Sequence, residues 1–324
     1  MDSPDLSPVT LAEVQAARGR IREHVRRTPL IEAELLREPL LKSSRLFLKL
    51  ENLQVTGSFK ARGAINKLLS LPMEEVERGL VTASGGNHGV GVAYAGYIAS
   101  APATVFFPRP TPPAKAEKVE RWGAKVILEG EVWDDANVAA LEMAKREGLC
   151  YVHPFADREV IAGQGTISLE ILEDLADVDA IVVAIGGGGL AAGIAAAAKA
   201  LKPDIRILGV EPTGAPKILE SMKAGHVIQL AQVSTAAGTL APRQSSEINF
   251  RMLRDLLDQI VLVSDEEMRQ AARWLWLEMG IAAELSGAAA VAAILTHRVT
   301  IHAGEKVCAL VCGSGTDGLR FTGV

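Results

Sequence analysis

Four short stretches carry residue types that could do chemistry. The first is ENLQVTGSFKARGA (51–64), where Lys60 stands between Phe59 and Ala61, just past a Thr-Gly-Ser turn. Helical lysines usually face water, but these neighbours suggest a lysine held inside a pocket. Desolvation lowers the pKa of an amine, and a neutral amine can attack a carbonyl. The second stretch is AIGGGGLAAG (184–193), in which Gly186, Gly187, Gly188 and Gly189 leave an apolar run and enter a helix at Leu190. Glycine lets backbone amides crowd round a tetrahedral anion, and the start of a helix adds positive potential. The run therefore reads as a phosphate cradle, with a flexible or close-packed loop as the alternative. It is not a convincing G-x-G-x-x-G frame, and no Gly-Lys-Ser/Thr follows to make it a nucleotide-binding loop of the Walker type. The third stretch, VTASGGNHG (81–89), presents Ser84, Gly85, Gly86, Asn87 and His88 in a polar turn. The fourth, VCGSGTDG (311–318), presents Cys312 and Ser314.

These stretches need elements to aim them. Continuous apolar, β-branched runs occur at 46–50, 79–83, 103–107, 125–128, 180–185, 205–210, 259–263 and 307–312. Helical patterns lie between most of them, after Ser58, Asn87, Pro113, Asp134, Gly165, Leu190 and Asp265. Strand–helix–strand alternation means parallel sheets covered on both faces, and unbroken apolar runs fit strands buried on both sides. The strands cluster between about 80 and 150 and from about 180 onward, so two sheets and two domains are expected. In open α/β sheets ligands bind beyond the carboxyl ends of the strands, where three of the four stretches fall. An amphipathic helix begins the chain, with Leu11, Val14, Ile21 and Val25 on one face and Pro29 ending it. The basic run Arg22–Arg27 reads as a solvated face of that helix.

The bulk composition excludes several classes of function. With 324 residues, 48 % of them hydrophobic, the chain can bury a sizeable core. A net charge of −5 gives no reason to expect a nucleic acid or an anionic membrane as partner. Cys150, Cys308 and Cys312 form no even framework and show no metal spacing, which suits a reducing cytoplasm. The N-terminus is acidic and polar, unlike a signal peptide, and no apolar run reaches membrane-spanning length.

A sheltered lysine and a phosphate cradle together suit a cofactor with both an aldehyde and a phosphate, namely pyridoxal phosphate. Five motifs in order, ENLQVTGSFKARGA, SGGNHGVGVAYAG, HPFADREVIAGQGTISLEIL, GGGGLAAGIA and VCGSGTDG, resemble the fold-type-II pyridoxal-phosphate enzymes. Within that family the chain is similar to the serine/threonine dehydratase and serine racemase group, over about residues 10 to 318. The resemblance implies a tryptophan synthase β-like α/β fold of two domains, each an open, twisted, mostly parallel sheet flanked by helices. It implies a large cofactor-binding domain from residues 1–52 and 153–324, and a small domain, 53–152, carrying Lys60 and a substrate-carboxylate loop. Lys60 would hold the cofactor as an imine, Phe59 would pack beside it, and the Asn87 amide would bond the 3′-oxygen. Gly186 to Leu190 would bind the phosphate. The Ser84–Asn87 turn would take the substrate carboxylate, with His88 either contacting substrate or only packing. Cys312, or its rival Ser314, would face the pyridine nitrogen; Cys312 is equally readable as a small core residue. After a substrate amine displaces Lys60, the freed amine would remove the Cα proton. The implied activity is an ammonia-lyase acting on L-threonine or L-serine, working as a cytoplasmic homodimer without the regulatory domain of biosynthetic relatives.

The chain departs from the family pattern at three points. A serine that serves as the opposite-face acid in related racemases is Gly85 here, so racemisation should be weak. Many relatives bind a divalent cation after the strand ending GVEP; Glu211 and the Ala215 carbonyl match two ligands, but the next acidic position is Lys217. Its ammonium would partner Glu211, and no tight metal is expected. The segment STAAG (234–238) has Ala237 in place of an acid, and Arg243 or Gln244 beyond it could alter substrate choice, toward 3-hydroxyaspartate for example. His153 reads as structural, and Glu284 either lies near the ring or caps a helix. Serine racemisation and β-replacement are the alternatives within the fold; a non-catalytic binder of a phosphorylated metabolite is the alternative outside it.

Overall fold

The computed structural model describes residues 5–319. The chain opens with α1 (Leu11–Ile21), begun by a capping box in which the Thr10 hydroxyl accepts from Glu13 N and the Glu13 carboxylate accepts from Thr10 N. Val14, Ala17 and Ile21 face inward. The helix stops at Ile21, eight residues short of Pro29, so the basic run is not a helix face. Arg22 to His24 form a turn instead. Arg27 pairs with Glu173 at 2.6 Å and Asp174 at 2.5 Å, and Arg26 donates to the Leu53 carbonyl oxygen. Tertiary partners, not helical phase, place these arginines.

The short strands β1 (Leu30–Glu32) and β2 (Arg45–Lys49) precede α2 (Lys60–Leu69) and α3 (Met73–Arg78). A βα series follows: β3 (Leu80–Ala83), α4 (Asn87–Ala99), β4 (Ala103–Phe107), α5 (Pro113–Glu120), β5 (Lys125–Leu128), α6 (Trp133–Glu147) and β6 (Cys150–Tyr151). The next part runs through α7 (Arg158–Asp174), β7 (Ala180–Ala184), α8 (Gly189–Leu201), β8 (Arg206–Pro212) and α9 (Lys217–Ala224). The last part contains α10 (Glu247–Leu256), β9 (Gln259–Val263), α11 (Asp265–Met279), α12 (Leu285–Leu295) and β10 (Lys306–Leu310).

The strands form two sheets, as the alternation implies. The smaller has the order β5-β4-β3-β6 and is wholly parallel. The larger has the order β1-β2-β10-β7-β8-β9 and is parallel except for the antiparallel edge strand β1. An early strand thus lies beside the last one, with Leu46 opposite Val307 and Leu48 opposite Ala309. Every residue of the central strand β7 is buried, whereas the edge strand β5 is half open, although both read as apolar runs.

Helix α7 begins at Arg158, seven residues before the expected start at Gly165. Gly163 and Gly165 do not break it, because neighbouring backbone packs against them. A Cβ at Gly163 would lie 2.7 Å from the Arg62 carbonyl oxygen of α2, and one at Gly165 would lie 2.7 Å from the Gly193 oxygen of α8. Helix α2 therefore packs closely on both α4 and α7 and joins the two halves. Its first residue is Lys60.

Candidate active site

The loops that leave β3, β7 and β10 converge with the start of α2 on one cavity of about 320 Å³, within the usual range for a small-ligand pocket. The start of α2 is fixed by the loop after β10. Ser58 forms an antiparallel bridge with Gly313, Phe59 N donates to the Cys312 oxygen at 3.2 Å, and Ser314 N donates to the Gly57 oxygen at 2.8 Å. This short zipper aims Lys60 and Phe59 into the cavity and brings Cys312 to its wall. It also separates two candidates, for Cys312 lines the cavity and Ser314 does not. The Ser314 hydroxyl lies beside Gly57, where an added Cβ would sit 2.5 Å from it.

Lys60 Nζ donates to the Pro154 carbonyl oxygen at 2.5 Å and stands 5.0 Å from the centre of the Phe59 ring. The side chain is partly accessible because the cavity opens on it. The surrounding protein still desolvates it enough to bring the pKa down to about 8, against the weaker opposing pull of Cys312 and Glu284. A substantial neutral fraction therefore exists near pH 8. The same burial, aided by Lys60, holds His153 down at about 4 and His88 well below the ordinary imidazole value. His153 is structural, as expected: its Nδ1 accepts from Phe155 N at 3.2 Å and Ala156 N at 2.9 Å. His88 lines the cavity as a neutral ring; Nε2–H donates to the Val152 oxygen at 3.0 Å, and Nδ1 has no partner among the described residues.

The turn after β3 is organised by Ser84. Its hydroxyl accepts from Gly86 N at 3.0 Å and Gly89 N at 2.8 Å, and donates to the Gly86 oxygen at 3.0 Å. Those two amides are therefore committed to the turn, which leaves the amides of Gly85, Asn87 and His88 at the start of α4 as the donors for an anion. Around Gly85 there is open space, with no atom within 4 Å of an added Cβ. Asn87 begins α4 and donates through Nδ2 to Glu284 Oε1 at 2.7 Å.

Glu284 precedes α12 but makes no cap hydrogen bond to it; the carboxyl points into the cavity instead. Burial raises its pKa to about 7, Asp317 adds to the rise, and the hydrogen bond from Asn87 opposes it. Cys312 is buried and donates to the Ser286 oxygen at 3.5 Å. Burial first, then Glu284, push its thiol pKa far up, so it stays uncharged.

Gly186 to Gly189 and Leu190, at the start of α8, line the same cavity as Lys60. A Cβ at Gly187 would lie 2.1 Å from the Phe155 ring, so glycine is required there by close approach. The Gly187 oxygen is held by Ser245 Oγ and Asn249 Nδ2, both at 2.9 Å. These bonds turn the carbonyl away and leave the loop amides and the first amides of α8 to face the cavity. Sequence reasoning missed Trp133, Pro154, Phe155, Thr239 and Ser286, which complete the wall. Pro154 and Phe155 lie in the motif HPFADREVIAGQGTISLEIL, from which no site role was drawn for them. Trp133 at the start of α6, Thr239, and Ser286 in α12 come from distant segments with no local signature. Arg243 and Gln244 do not line the cavity; both are exposed, and Arg243 donates to the oxygens of Leu230 and Ala231.

Off the cavity, Lys217 Nζ lies 3.0 Å from Glu211 Oε1, and both residues are fully buried. Burial draws the lysine pKa down and Glu211 resists it. No cluster of three or more His, Cys, Asp or Glu side chains able to hold a metal occurs among the described residues, nor does any helix long and apolar enough to cross a membrane.

Two helix-flanked sheets, a desolvated lysine and a glycine-lined helix start define a class: α/β enzymes suited to a phosphorylated aldehyde. The sequence model of the pyridoxal-phosphate dependent enzymes matches residues 21–313, and the chain belongs to that family. It is 40 % identical over 309 residues to the L-threonine ammonia-lyase of Thermotoga maritima, covering 95 % of this chain and 76 % of that protein. It is 39 % identical over 318 residues to a catabolic L-threonine dehydratase of Staphylococcus aureus, covering 98 % and 92 %. The structure of maize serine racemase superposes with a TM-score of 0.90 at 34 % identity, covering 95 % of this chain and 94 % of that one. The fold class and the cofactor expected from the sequence are thereby borne out.

Proposed function

We propose that this chain is an ammonia-lyase that eliminates water from a β-hydroxy amino acid, with L-threonine and L-serine first among substrates, to give a 2-oxo acid and ammonia. The observation that carries the reading is Lys60, held by the Pro154 carbonyl and desolvated by its surroundings, lining one cavity with the glycine-rich start of α8. The names of the relatives agree with it. Bound pyridoxal phosphate supplies the electron sink for the charge left at Cα. Lys60 would hold that cofactor through its amine, and the same amine, when free, would be the base for the Cα proton. Amides of Gly186 to Leu190 would receive the cofactor's phosphate. The turn from Ser84 to His88 receives the substrate carboxylate. Phe59 would pack beside the cofactor, Asn87, held by Glu284, would help orient it, and Cys312 would offer it an uncharged group.

Two features favour elimination over racemisation. Gly85 carries no proton donor, and the space around it shows that packing does not demand this absence. The uncharged Cys312 would not hold a proton on the ring nitrogen as a carboxylate counter-charge would. The reading includes the division into residues 1–52 with 153–324 and residues 53–152, supported by the two separate sheets. It also includes a homodimer in a reducing cytoplasm, with three free cysteines in support; sedimentation would show a single monomeric species if the dimer is wrong.

The test is release of 2-oxo acid from a panel of β-hydroxy amino acids, including 3-hydroxyaspartate, with Lys60→Ala as the blank. Threonine or serine should be turned over by the wild type alone. Borohydride should bleach the yellow protein and place the reduced adduct on the peptide containing Lys60. A colourless protein that gains no colour with added cofactor would mean a non-catalytic binder, and product formed only with added sulfide would mean β-replacement.

A further inference from the structure

A buried cage of oxygens lies behind the glycine cradle. The Glu211 carboxylate and the carbonyl oxygens of Ala215, Ile185 and Leu240 converge on one point. Hard divalent cations take oxygen sets of this kind, and the resemblance to metal-binding relatives implies one here. The residues do not fit a metal ion, because Lys217 Nζ fills the centre. It lies 3.0 Å from Glu211 Oε1, 3.1 Å from the Ala215 oxygen, and 3.4 Å from each of the Ile185 and Leu240 oxygens. All four partners are acceptors, which calls for the three donors of an ammonium and leaves no place for an amine lone pair. Glu211 is held as its counter-charge: Oε1 also accepts from Ile218 N at 3.0 Å, and Oε2 accepts from Leu219 N at 2.9 Å.

We infer that the ammonium of Lys217 is the resident cation of this site, a positioning group that locks the cofactor cradle and frees the chain from any need for a divalent ion. The atoms it binds show how. Ile185 directly precedes Gly186. Leu240 ends the short turn Gly238–Leu240, whose Thr239 lines the cavity and donates to Glu284 at 3.3 Å. Glu211 and Ala215 belong to the end of β8 and the turn before α9. One charge thus ties three segments, two of which form cavity wall. The inference does not depend on which amino acid the enzyme takes.

Melting temperature and metal content test it apart from activity. Holoenzyme treated with a chelator should contain no stoichiometric metal and keep its melting temperature and cofactor absorbance; added Mg²⁺ or Ca²⁺ should change neither. Lys217→Ala strands the Glu211 carboxylate and should melt on the order of 10 °C lower. It should bind the cofactor about tenfold more weakly, by analogy with lost supporting contacts at metal sites. Potassium or ammonium ions, which suit a carbonyl cage, should restore part of both. Lys217→Asp adds a second carboxylate and should gain melting temperature with Ca²⁺ or Mg²⁺. Two results overturn the inference: a wild-type melting temperature that falls on chelation and returns with a divalent ion, or both variants melting with the wild type and ignoring every cation. If neither variant folds, the wild type decides, since stoichiometric bound metal refutes the inference and a metal-free folded holoenzyme supports it.

Discussion

Lys60 and Arg62 stand two residues apart at the start of α2, yet they face opposite kinds of interior. Arg62 belongs to a fully matched ionic network. Its guanidinium donates to Glu51 at 2.8 and 2.9 Å and to Glu170 at 2.7 and 2.9 Å, while Lys49 donates to Glu170 at 2.6 Å. Thr28 adds a hydroxyl to Glu51 at 2.5 Å. Two cations thus meet two carboxylates. Burial alone would draw the Arg62 pKa down, but Glu51 and then Glu170 override it and hold it above the ordinary value. Lys60 has the Pro154 carbonyl and no carboxylate at hydrogen-bond distance among the described residues, and burial wins. A buried cation with every donor matched is structure. A buried cation left short of partners gives up its proton more easily.

Exchanging the two losses should break the comparison most sharply. Lys60→Ala should lower 2-oxo acid release by about 10³-fold or more, the range expected when a proton-transfer group is lost. Its urea midpoint should stay near that of the wild type, because no carboxylate is stranded. Arg62→Ala should do the reverse. It leaves Glu170 buried with Lys49 alone and Glu51 buried with no cation at hydrogen-bond distance among the described residues, and stability should drop by about 3–5 kcal/mol. Comparable unfolding midpoints for the two variants would mean that the network is no more structural than the cavity lysine.

Glu284 sharpens the contrast from the acid side. Burial raises its pKa from an ordinary 4.5 to about 7 in the folded chain. Between those values the unfolded carboxyl ionises while the folded one keeps its proton, so the folded state binds more protons and stability falls as pH rises. The contribution is fully present below about pH 4.5 and lost as pH passes 7. The shift corresponds to about 3 kcal/mol. In cofactor-free protein, Glu284→Gln should therefore overtake the wild type by up to about that amount at pH 8, and should show no such gain at pH 4.5. An equal difference at both pH values would place the carboxyl outside the desolvated wall.

How much of this could be read from the chain alone follows the range of each interaction. The runs at 103–107 and 125–128 are strands residue for residue, because an unbroken apolar run is a local signal. The two-residue β6 and the edge strand β1 are too short to carry a pattern. Helix α12 is apolar all round, so it has no face to reveal it. In the site, Lys60, Asn87 and the glycines were legible because each sits in a compact motif. The ionic network was not, although Arg62 lies in the same motif as Lys60. Its partner Glu170 is 108 positions away, and only folding brings the charges together. Glu284 was ambiguous for a similar reason, since helix-start position and cavity exposure look alike until Asn87, 197 positions distant, is in place.

Cys312 offers the smallest expected effect and the most selective one. Its thiol lies at the cavity wall but behaves as a neutral group, because burial and the neighbouring Glu284 both oppose the thiolate. A serine hydroxyl is nearly as small, is also neutral, and can donate to the Ser286 oxygen that now accepts from sulfur. Cys312→Ser should therefore change stability by about 1 kcal/mol or less and leave kcat/KM for 2-oxo acid release within several-fold. Cys312→Asp brings a carboxyl toward Glu284 in the same desolvated wall, and should cost far more in both measurements. If the serine variant falls as far as the aspartate variant, then sulfur itself, rather than the absence of charge, is what this wall supplies.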